Sequence, residues 1–302
     1  MTTSRDLPMW RSLLCVPTNV EKFVARANDR GADAVQLDLE DTIPLHEKDN
    51  ARRMVDKAAE RVAAGGTDVL VRVNAPLSLC VRDLEHAVSP HVTAVVCPKI
   101  DSASHVRLLD ELISELEQKR GLPPGHTRMI TIVETPGAFS RCDEIPAASS
   151  RVVGTILGGE DFAHNCGMQP DDEVLLYPKQ RLIIAARAAG VIPFGFIASA
   201  AQFGDLVSFR QMVRRSRRFG FEGAGCIHPN QVPIVNEEYT PSAEEVAKAR
   251  RILELGAAAM AEGRSSFAMD GTMVDVPVMK RAEALVKRFD AIMERTAVRQ
   301  GG

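Results

Sequence analysis

Acidic and basic side chains close several short apolar segments of this sequence, and they are the residues that could carry chemistry. The segments are LDLED (37–41), VRVN (71–74), VCPK (96–99), IVE (132–134) and GGED (158–161). Two carboxylates that converge on one point repel each other unless a cation lies between them. Strand ends rich in carboxylates therefore predict a cation site, provided that the fold brings these ends together.

Glu134 and Asp161 form the best candidate pair, because they close two successive segments. Oxygen ligands that leave several coordination positions to water and substrate suit Mg²⁺. Gly158 and Gly159 would permit the backbone to approach closely at this point. The alternative is a pair of solvated loop acids, and strand alternation does not decide whether Glu160 or Asp161 points inward.

Arg72 is the candidate cation beside this pair, and Glu40 is its expected partner. Side chains two positions apart share a strand face, which groups Arg72 with Asn74 and Glu40 with Asp38. A buried guanidinium without a partner is costly, so Glu40 would orient Arg72 across neighbouring strands. A plain ion pair that holds the strand ends together is the alternative for the same residues.

The elements that must position these residues alternate between short strands and longer amphipathic helices. Predicted strands cover 12–17, 34–41, 68–74, 94–99, 129–135, 152–161, 193–199 and 225–229. Predicted helices cover 19–30, 46–64, 104–120, 137–148, 179–189 and 203–219. Eight apolar strands with intervening helices predict an α/β fold, a (β/α)₈ TIM barrel, whose active site lies at the carboxyl ends of the strands. A doubly wound open sheet is the alternative, but no Gly-x-Gly-x-x-Gly turn follows the first strand.

The chain continues beyond the eighth unit, which predicts a second domain. A helix over 241–263 has Ser242 as N-cap and Glu245 as its capping-box partner. A polar, glycine-containing link over 263–272 and another helix over 276–296 follow. We expect a TIM-barrel catalytic domain over 1–240 and a C-terminal helical extension or lid over 241–302.

Composition excludes several classes of function. The formal net charge is −3, which indicates no general attraction to nucleic acid or to an anionic membrane. The six cysteines form no Cys-x-x-Cys pair, and several lie in apolar runs, as buried thiols do in a reducing compartment. Neither a basic–apolar leader pattern nor a membrane-length apolar run is present, so we expect a cytoplasmic protein without nucleic-acid or membrane partners.

The strand ends together resemble the citrate lyase β-subunit-like (CitE-like) branch of the HpcH/HpaI aldolase superfamily, which includes malyl-CoA and citramalyl-CoA lyases. The resemblance extends over most of the chain and beyond the strand ends. It is carried by RSLLCVPTN (11–19), GADAVQLDLEDTIP (31–44), VRVN (71–74), VVCPK (95–99), IVETPGA (132–138), GGEDFA (158–163), AARAAGV (185–191), GFEGAGCIHPNQ (220–231), YTPSAEEVAKAR (239–250) and DGTMVDVP (270–277).

This resemblance implies a role for individual residues. Glu134 and Asp161 match the Mg²⁺ ligands of the family, and Arg72 matches the arginine that binds the carboxylate and carbonyl oxygens of the acid. Arg11 and Lys22 are the candidates for binding CoA around the first strand and its loop. Asp275 matches the acid/base of the lyases, carried on an extension that closes over a neighbouring subunit, usually in trimers or multiples of trimers.

The implied reaction is a reversible, Mg²⁺-dependent cleavage of a short 3-hydroxyacyl thioester of the citryl-, malyl- or citramalyl-CoA type. Its products would be acetyl- or acyl-CoA and a 2-oxo acid, and an acyl carrier protein could replace CoA. Three alternatives stay open: a malyl-CoA-type thioesterase, a CoA-independent 2-oxo-acid aldolase, and a non-catalytic subunit that binds a carrier protein.

Overall fold

A computed structural model describes residues 6–199 and 204–301 of the protein. By its internal contacts the chain divides into two compact units, Met1–Tyr239 and Thr240–Gly302. Each unit has its own elements and its own apolar core.

The first unit is a parallel eight-stranded barrel, as predicted. Its strands are β1 (Ser12–Pro17), β2 (Ala34–Asp38), β3 (Asp68–Arg72), β4 (Ala94–Cys97), β5 (Arg128–Val133), β6 (Val152–Leu157), β7 (Ile192–Phe194) and β8 (Ala224–Cys226). They follow the order β7-β6-β5-β4-β3-β2-β1-β8, and every neighbouring pair is parallel. A bridge between Phe194 and Gly223 and a 2.8 Å hydrogen bond from the Gly195 amide to the Gly223 carbonyl join β7 to β8. These contacts close the sheet into the expected (β/α)₈ barrel.

Helices surround this barrel. They are α1 (Glu21–Val24), α2 (Lys48–Ala64), α3 (Leu77–Ala87), α4 (Ala103–Arg120), α5 (Pro136–Phe139), α6 (Gly159–Cys166), α7 (Leu176–Ala189), α8 (Leu206–Phe219) and α9 (Gln231–Glu238). The helices α3, α6 and α9 are not among those predicted from the sequence, and the helix predicted over 137–148 is wrong beyond Phe139, where α5 ends. The predicted start of α8 at Phe203 lies outside the described residues.

Most strands end before the polar residues that were assigned to them. The predicted strand over 152–161 stops at Leu157, and Gly158 turns the chain directly into α6. Asp161 therefore lies in the first turn of a helix, where its carboxylate faces the positive end of the helix dipole. Strand periodicity consequently could not decide the direction of Glu160 or Asp161.

The interior of the barrel is filled with apolar side chains at its amino-terminal half. This inner core consists of Trp10, Leu13, Ala34, Leu70, Ala94, Val96, Ile130, Ile132, Val153, Ile192 and Phe194. Gly154 leaves room for it, because a Cβ there would overlap the Phe194 ring. Two positions further along some of these strands, the next inward-facing side chain is polar: Leu70 is followed by Arg72 and Ile132 by Glu134. Alternation therefore delivers these side chains to the open, carboxyl-terminal end.

The second unit contains α10 (Ala243–Ala261), the strands β9 (Phe267–Met269) and β10 (Thr272–Val274), and α11 (Val276–Gly301). The predicted capping box is confirmed, since Ser242 Oγ accepts from the Glu245 amide and Glu245 accepts from the Ser242 amide. The predicted polar link over 263–272 is wrong, because β9 and β10 form an antiparallel hairpin there. Asp270 and Gly271 both have positive φ, the geometry that an Asp-Gly hairpin turn requires. That the first unit is the catalytic domain and the second a lid stays a prediction.

Within the described residues, no helix combines the length and the apolar character that crossing a bilayer would require.

Candidate active site

A cavity of about 380 Å³ opens among the strand ends of the first unit. Three of the predicted site residues line it together: Arg72, Glu134 and Asp161. Its apolar walls include Leu13, Ile132, Ile156, Leu175 and Phe196. An apolar cavity with a few convergent charged groups is the usual form of a small-molecule site.

Glu134 follows β5 and is only 4% exposed. Its carboxylate accepts a hydrogen bond of 3.1 Å from the backbone amide of Lys99. Gly158 is required beside it, because a Cβ at that position would overlap the Glu134 carboxyl group. Burial, followed by repulsion from Asp161 and Glu40, raises the pKa of Glu134 to about 7. The folded chain therefore holds Glu134 where its negative charge is unfavourable unless a cation is nearby.

Arg72 is held by more acids than the sequence analysis predicted. Its guanidinium makes two hydrogen bonds to Asp38, of 2.6 and 2.8 Å, and ion pairs of 3.0 Å with Glu40 and 3.2 Å with Asp41. The predicted contact with Glu40 is present, but Asp38 is the main partner because it lies opposite Arg72 in the β2–β3 register. Burial opposes ionisation of Asp38, yet the hydrogen bonds and charge of Arg72 outweigh it and lower the pKa of Asp38.

Lys99 contacts both Glu40, which pairs with Arg72, and Glu134. This role was not predicted from the sequence. Its ammonium lies 3.0 Å from Glu40, while its amide binds Glu134. Its φ of 50° lies in the left-handed region, which is strained for a lysine and is typical of functional sites. Burial disfavours the charge of Lys99, but the bond to Glu40 and the surrounding carboxylates raise its pKa.

Asn74 does not share the position of Arg72, although strand alternation predicted that it would. Its side-chain amide donates to Asp83 at 2.6 Å and to the Leu39 carbonyl at 2.9 Å. Because β3 ends at Arg72, the period-two pattern no longer holds two residues later. Asn74 therefore fixes the backbone around the site instead of lining the cavity.

Arg11 and Lys22, the two residues predicted to bind CoA, do not line this cavity. Arg11 precedes β1 and thus lies at the amino-terminal end of the barrel, where its guanidinium binds Asp33 at 2.8 and 2.9 Å. Arg11 therefore does not line the cavity, and its predicted role in binding CoA stays a prediction. Lys22 lies on α1 after the carboxyl end of β1, with its ammonium 5.2 Å from the Phe23 ring centre. Lys22 remains a candidate.

Asp275 belongs to the second unit, between β10 and α11. Its carboxylate accepts a 3.3 Å hydrogen bond from the Val278 amide, so it caps the amino terminus of α11. Capping fixes the side chain against the helix and is compatible with a later role in proton transfer. Its assignment as acid/base stays a prediction.

A second cation lines the cavity and was missed entirely. Lys179 lies on α7 and is 5% exposed, so its charge is buried. Its ammonium donates to the Ala198 carbonyl at 3.0 Å. In the sequence it stands in YPKQRLI, where a lysine at helical spacing looks like an ordinary surface residue.

The donor set at Glu134 and Asp161 fits Mg²⁺. Both donors are carboxylates, one of them buried, and their mutual repulsion is the property that a divalent ion would relieve. Among residues 6–199 and 204–301, no three His, Cys, Asp or Glu side chains converge on a metal-sized point. Two protein ligands would leave the other coordination positions to water and substrate, which is the usual arrangement for Mg²⁺.

Comparison with known proteins agrees with this geometry. Residues 11–229 match the family model "HpcH/HpaI aldolase/citrate lyase". Over 283 residues, 93% of each chain, the sequence is 36% identical to "Citrate lyase subunit beta" of Escherichia coli K12. It is 31% identical to the "L-malyl-CoA/beta-methylmalyl-CoA lyase" of Cereibacter sphaeroides (ATCC 17025), covering 91% of this chain and 92% of that one.

A solved structure is similar over nearly the whole length. It is protein CitE from Mycobacterium tuberculosis in complex with magnesium, acetoacetate and coenzyme A, with a TM-score of 0.73 and 31% identity over 92% of this chain and 97% of that one. The fold and the matched sequence together define the class: this chain belongs to the HpcH/HpaI aldolase/citrate lyase family, in its citrate lyase β-subunit-like branch. It is accordingly an enzyme, a carbon–carbon lyase.

The raised pKa of Glu134 predicts that Glu134→Gln stabilises the metal-free protein. Because the folded pKa, about 7, exceeds the usual value of 4.5, the contribution of Glu134 to stability is greatest below pH 4.5 and is lost as pH rises through 7. In EDTA at pH 8 we expect the variant to be more stable by about 1–3 kcal/mol, with a smaller difference at pH 5. Urea denaturation at both pH values measures this, with exposed Glu144→Gln as control. A variant less stable than the wild type at pH 8 would contradict the assignment.

Proposed function

We propose that this chain is a Mg²⁺-dependent lyase that reversibly cleaves a short 3-hydroxyacyl thioester of the citryl-, malyl- or citramalyl-CoA type. The products are acetyl- or acyl-CoA and a 2-oxo acid. The observation that carries the proposal is the convergence of Glu134, Asp161 and Arg72 on one cavity at the carboxyl ends of the barrel strands. The names of the relatives support the thioester, and the magnesium and coenzyme A of the M. tuberculosis protein support the cofactor and the carrier.

In this proposal Glu134 and Asp161 hold the metal ion. When bound, Mg²⁺ supplies Lewis-acid stabilisation of the negative charge that develops on the substrate oxygen. Gly158 keeps the Glu134 carboxylate in place by leaving it room, and the Lys99 amide fixes its orientation. Glu134 and Asp161 thus provide a site that is formed before the substrate arrives.

Arg72 binds the carboxylate and carbonyl oxygens of the acid half. Its two bonds to Asp38 fix the plane of the guanidinium, and Glu40 holds it from a second direction. A preoriented guanidinium stabilises the developing oxyanion without reorganising during the reaction. Glu40 acts here through Arg72 and Lys99 and is a positioning residue.

Asp275 is the proposed acid/base of the reaction. In the cleavage direction the 3-hydroxyl loses its proton to solvent, and its oxygen becomes the carbonyl oxygen of the 2-oxo acid as the carbon–carbon bond breaks. The bonding electron pair passes to the thioester enolate, and protonated Asp275 transfers its proton to that carbon. In the condensing direction it removes the same proton. We propose that the extension closes over a site during turnover, which excludes water from the enolate. We also propose trimers or multiples of trimers, a cytoplasmic location and binding of the CoA moiety near Lys22.

The reaction is tested by incubating the protein with citryl-, malyl- and citramalyl-CoA, with Mg²⁺ or with EDTA, and identifying products by mass spectrometry. We expect a 2-oxo acid and an acyl-CoA, formed only with Mg²⁺. Free CoA together with the intact hydroxy acid would instead identify a thioesterase. Cleavage of free hydroxy acids, without a thioester, would identify a CoA-independent aldolase.

The separate roles of Asp275 and of the proposed metal ligands Glu134 and Asp161 predict that variants of these residues will behave differently. Asp275→Asn loses at least about 100-fold in turnover, the usual contribution of a general acid, yet binds Mg²⁺ normally by calorimetry. Asp161→Asn loses both turnover and Mg²⁺ binding. Asp290→Asn on α11, a half-exposed residue that pairs with Arg250 at 3.0 Å, is the matched control and should lose neither. Full turnover by Asp275→Asn would remove that residue from the mechanism, and normal turnover of Asp161→Asn in EDTA would remove the metal.

A further inference from the structure

Lys179 is a buried cation that the mechanism above does not use. It lies in the first turns of α7, a segment that packs against the start of α6, and it lines the same cavity as Arg72. A Cβ at Gly159 would lie 3.9 Å from its ammonium nitrogen, which places that nitrogen beside the first residue of α6. Asp161 stands two residues further along the same helix. Lys179 is therefore close to the proposed metal site but comes from a different element.

The charge of Lys179 has no carboxylate partner among the described residues. Its hydrogen bond goes to the neutral carbonyl of Ala198, whereas an ammonium has three donors. Burial lowers its pKa to about 8, with the more distant charges of Asp172 and Glu160 opposing this effect. At neutral pH the side chain is still mainly protonated. A buried charge without a counter-ion is costly, and such groups mark functional positions.

The other cation of the cavity is in the opposite situation. Arg72 and Lys179 are the two basic residues that line the cavity within the described part of the chain. Arg72 is bound by Asp38, Glu40 and Asp41, so its charge is largely balanced by the protein. Lys179 has donors and positive charge to offer an anion from outside. An incoming carboxylate would supply the counter-ion that the fold omits.

We propose that Lys179 binds a second carboxylate on the acid half of the substrate, so that the enzyme prefers thioesters whose 2-oxo-acid product is dicarboxylic. The inference rests on the proposed function and specifies its substrate class. The first carboxylate and the carbonyl oxygen are the groups assigned to Arg72 and to the metal ion held by Glu134 and Asp161. A second carboxylate, one carbon further along, would extend towards α7. Acid halves that carry hydrogen or methyl at this position leave the ammonium unpaired and bind less tightly.

Calorimetric binding of oxaloacetate and pyruvate, in Mg²⁺ at pH 7, tests this on the full-length protein. The two acids differ by the second carboxylate. We expect the wild type to bind oxaloacetate more tightly. Lys179→Met should weaken oxaloacetate binding by about 10- to 100-fold and change pyruvate binding by less than about twofold. Lys179→Arg should retain most of the preference, and exposed Lys119→Met on α4 is the matched control.

Kinetics separate this inference from the proposed function. With citryl-CoA, Lys179→Met should raise KM more than it lowers kcat, while citramalyl-CoA kinetics stay near wild type. An active lyase without preference for oxaloacetate overturns the role of Lys179 alone. A wild type that binds oxaloacetate through Lys179 but cleaves no hydroxyacyl-CoA overturns the lyase alone.

Two further outcomes count against Lys179. Equal losses for both acids in Lys179→Met would assign the residue a structural role at α7. Unchanged binding of both acids would show that it faces no substrate. Should Lys179→Met fail to fold by circular dichroism, Lys179→Gln replaces it, and the preference of the wild type still decides the question.

Discussion

Repulsion among buried carboxylates is the constraint on which this site depends. Five carboxylates (Asp38, Glu40, Asp41, Glu134 and Asp161) face two cations, Arg72 and Lys99, at the strand ends. The two cations pair with Asp38, Glu40 and Asp41, which leaves Glu134 and Asp161 without an ion pair among the described residues. One divalent cation would balance these two charges. The same repulsion makes the metal-free site unfavourable, so that function and stability oppose each other here.

The fold maintains this arrangement through local features that would otherwise be hard to explain. Because Gly158 has no side chain, the Glu134 carboxyl group has room beside it. Lys99 adopts a left-handed backbone conformation while contacting both Glu134 and Glu40. The apolar inner core fills the lower part of the barrel, which leaves the polar ends of the inward series at the open end. The apolar residues that stabilise the barrel and the residues proposed to carry out the reaction thus lie at opposite ends of it.

The sequence predicted the barrel because eight apolar runs with strand periodicity are a strong and repeated signal. It also predicted Arg72, Glu134 and Asp161, since unusual polar residues interrupt those runs. It could not predict that Asp38 would bind Arg72 most closely, because that depends on the register of β2 against β3. Lys179 carried no signal, because its burial results from the packing of α7 against the start of α6 and against Ala198, which helical spacing does not reveal. The Asp270-Gly271 turn, by contrast, was a readable hairpin signal that was overlooked.

The central claim is that Glu134 and Asp161 share one divalent ion beside Arg72. Anomalous diffraction from crystals soaked in Mn²⁺, which has the same preference for oxygen ligands as Mg²⁺, tests it most directly. The account predicts an anomalous peak within about 2.0–2.5 Å of carboxylate oxygens of both residues. Crystals with full Mn²⁺ occupancy elsewhere and no peak between these two side chains would contradict it.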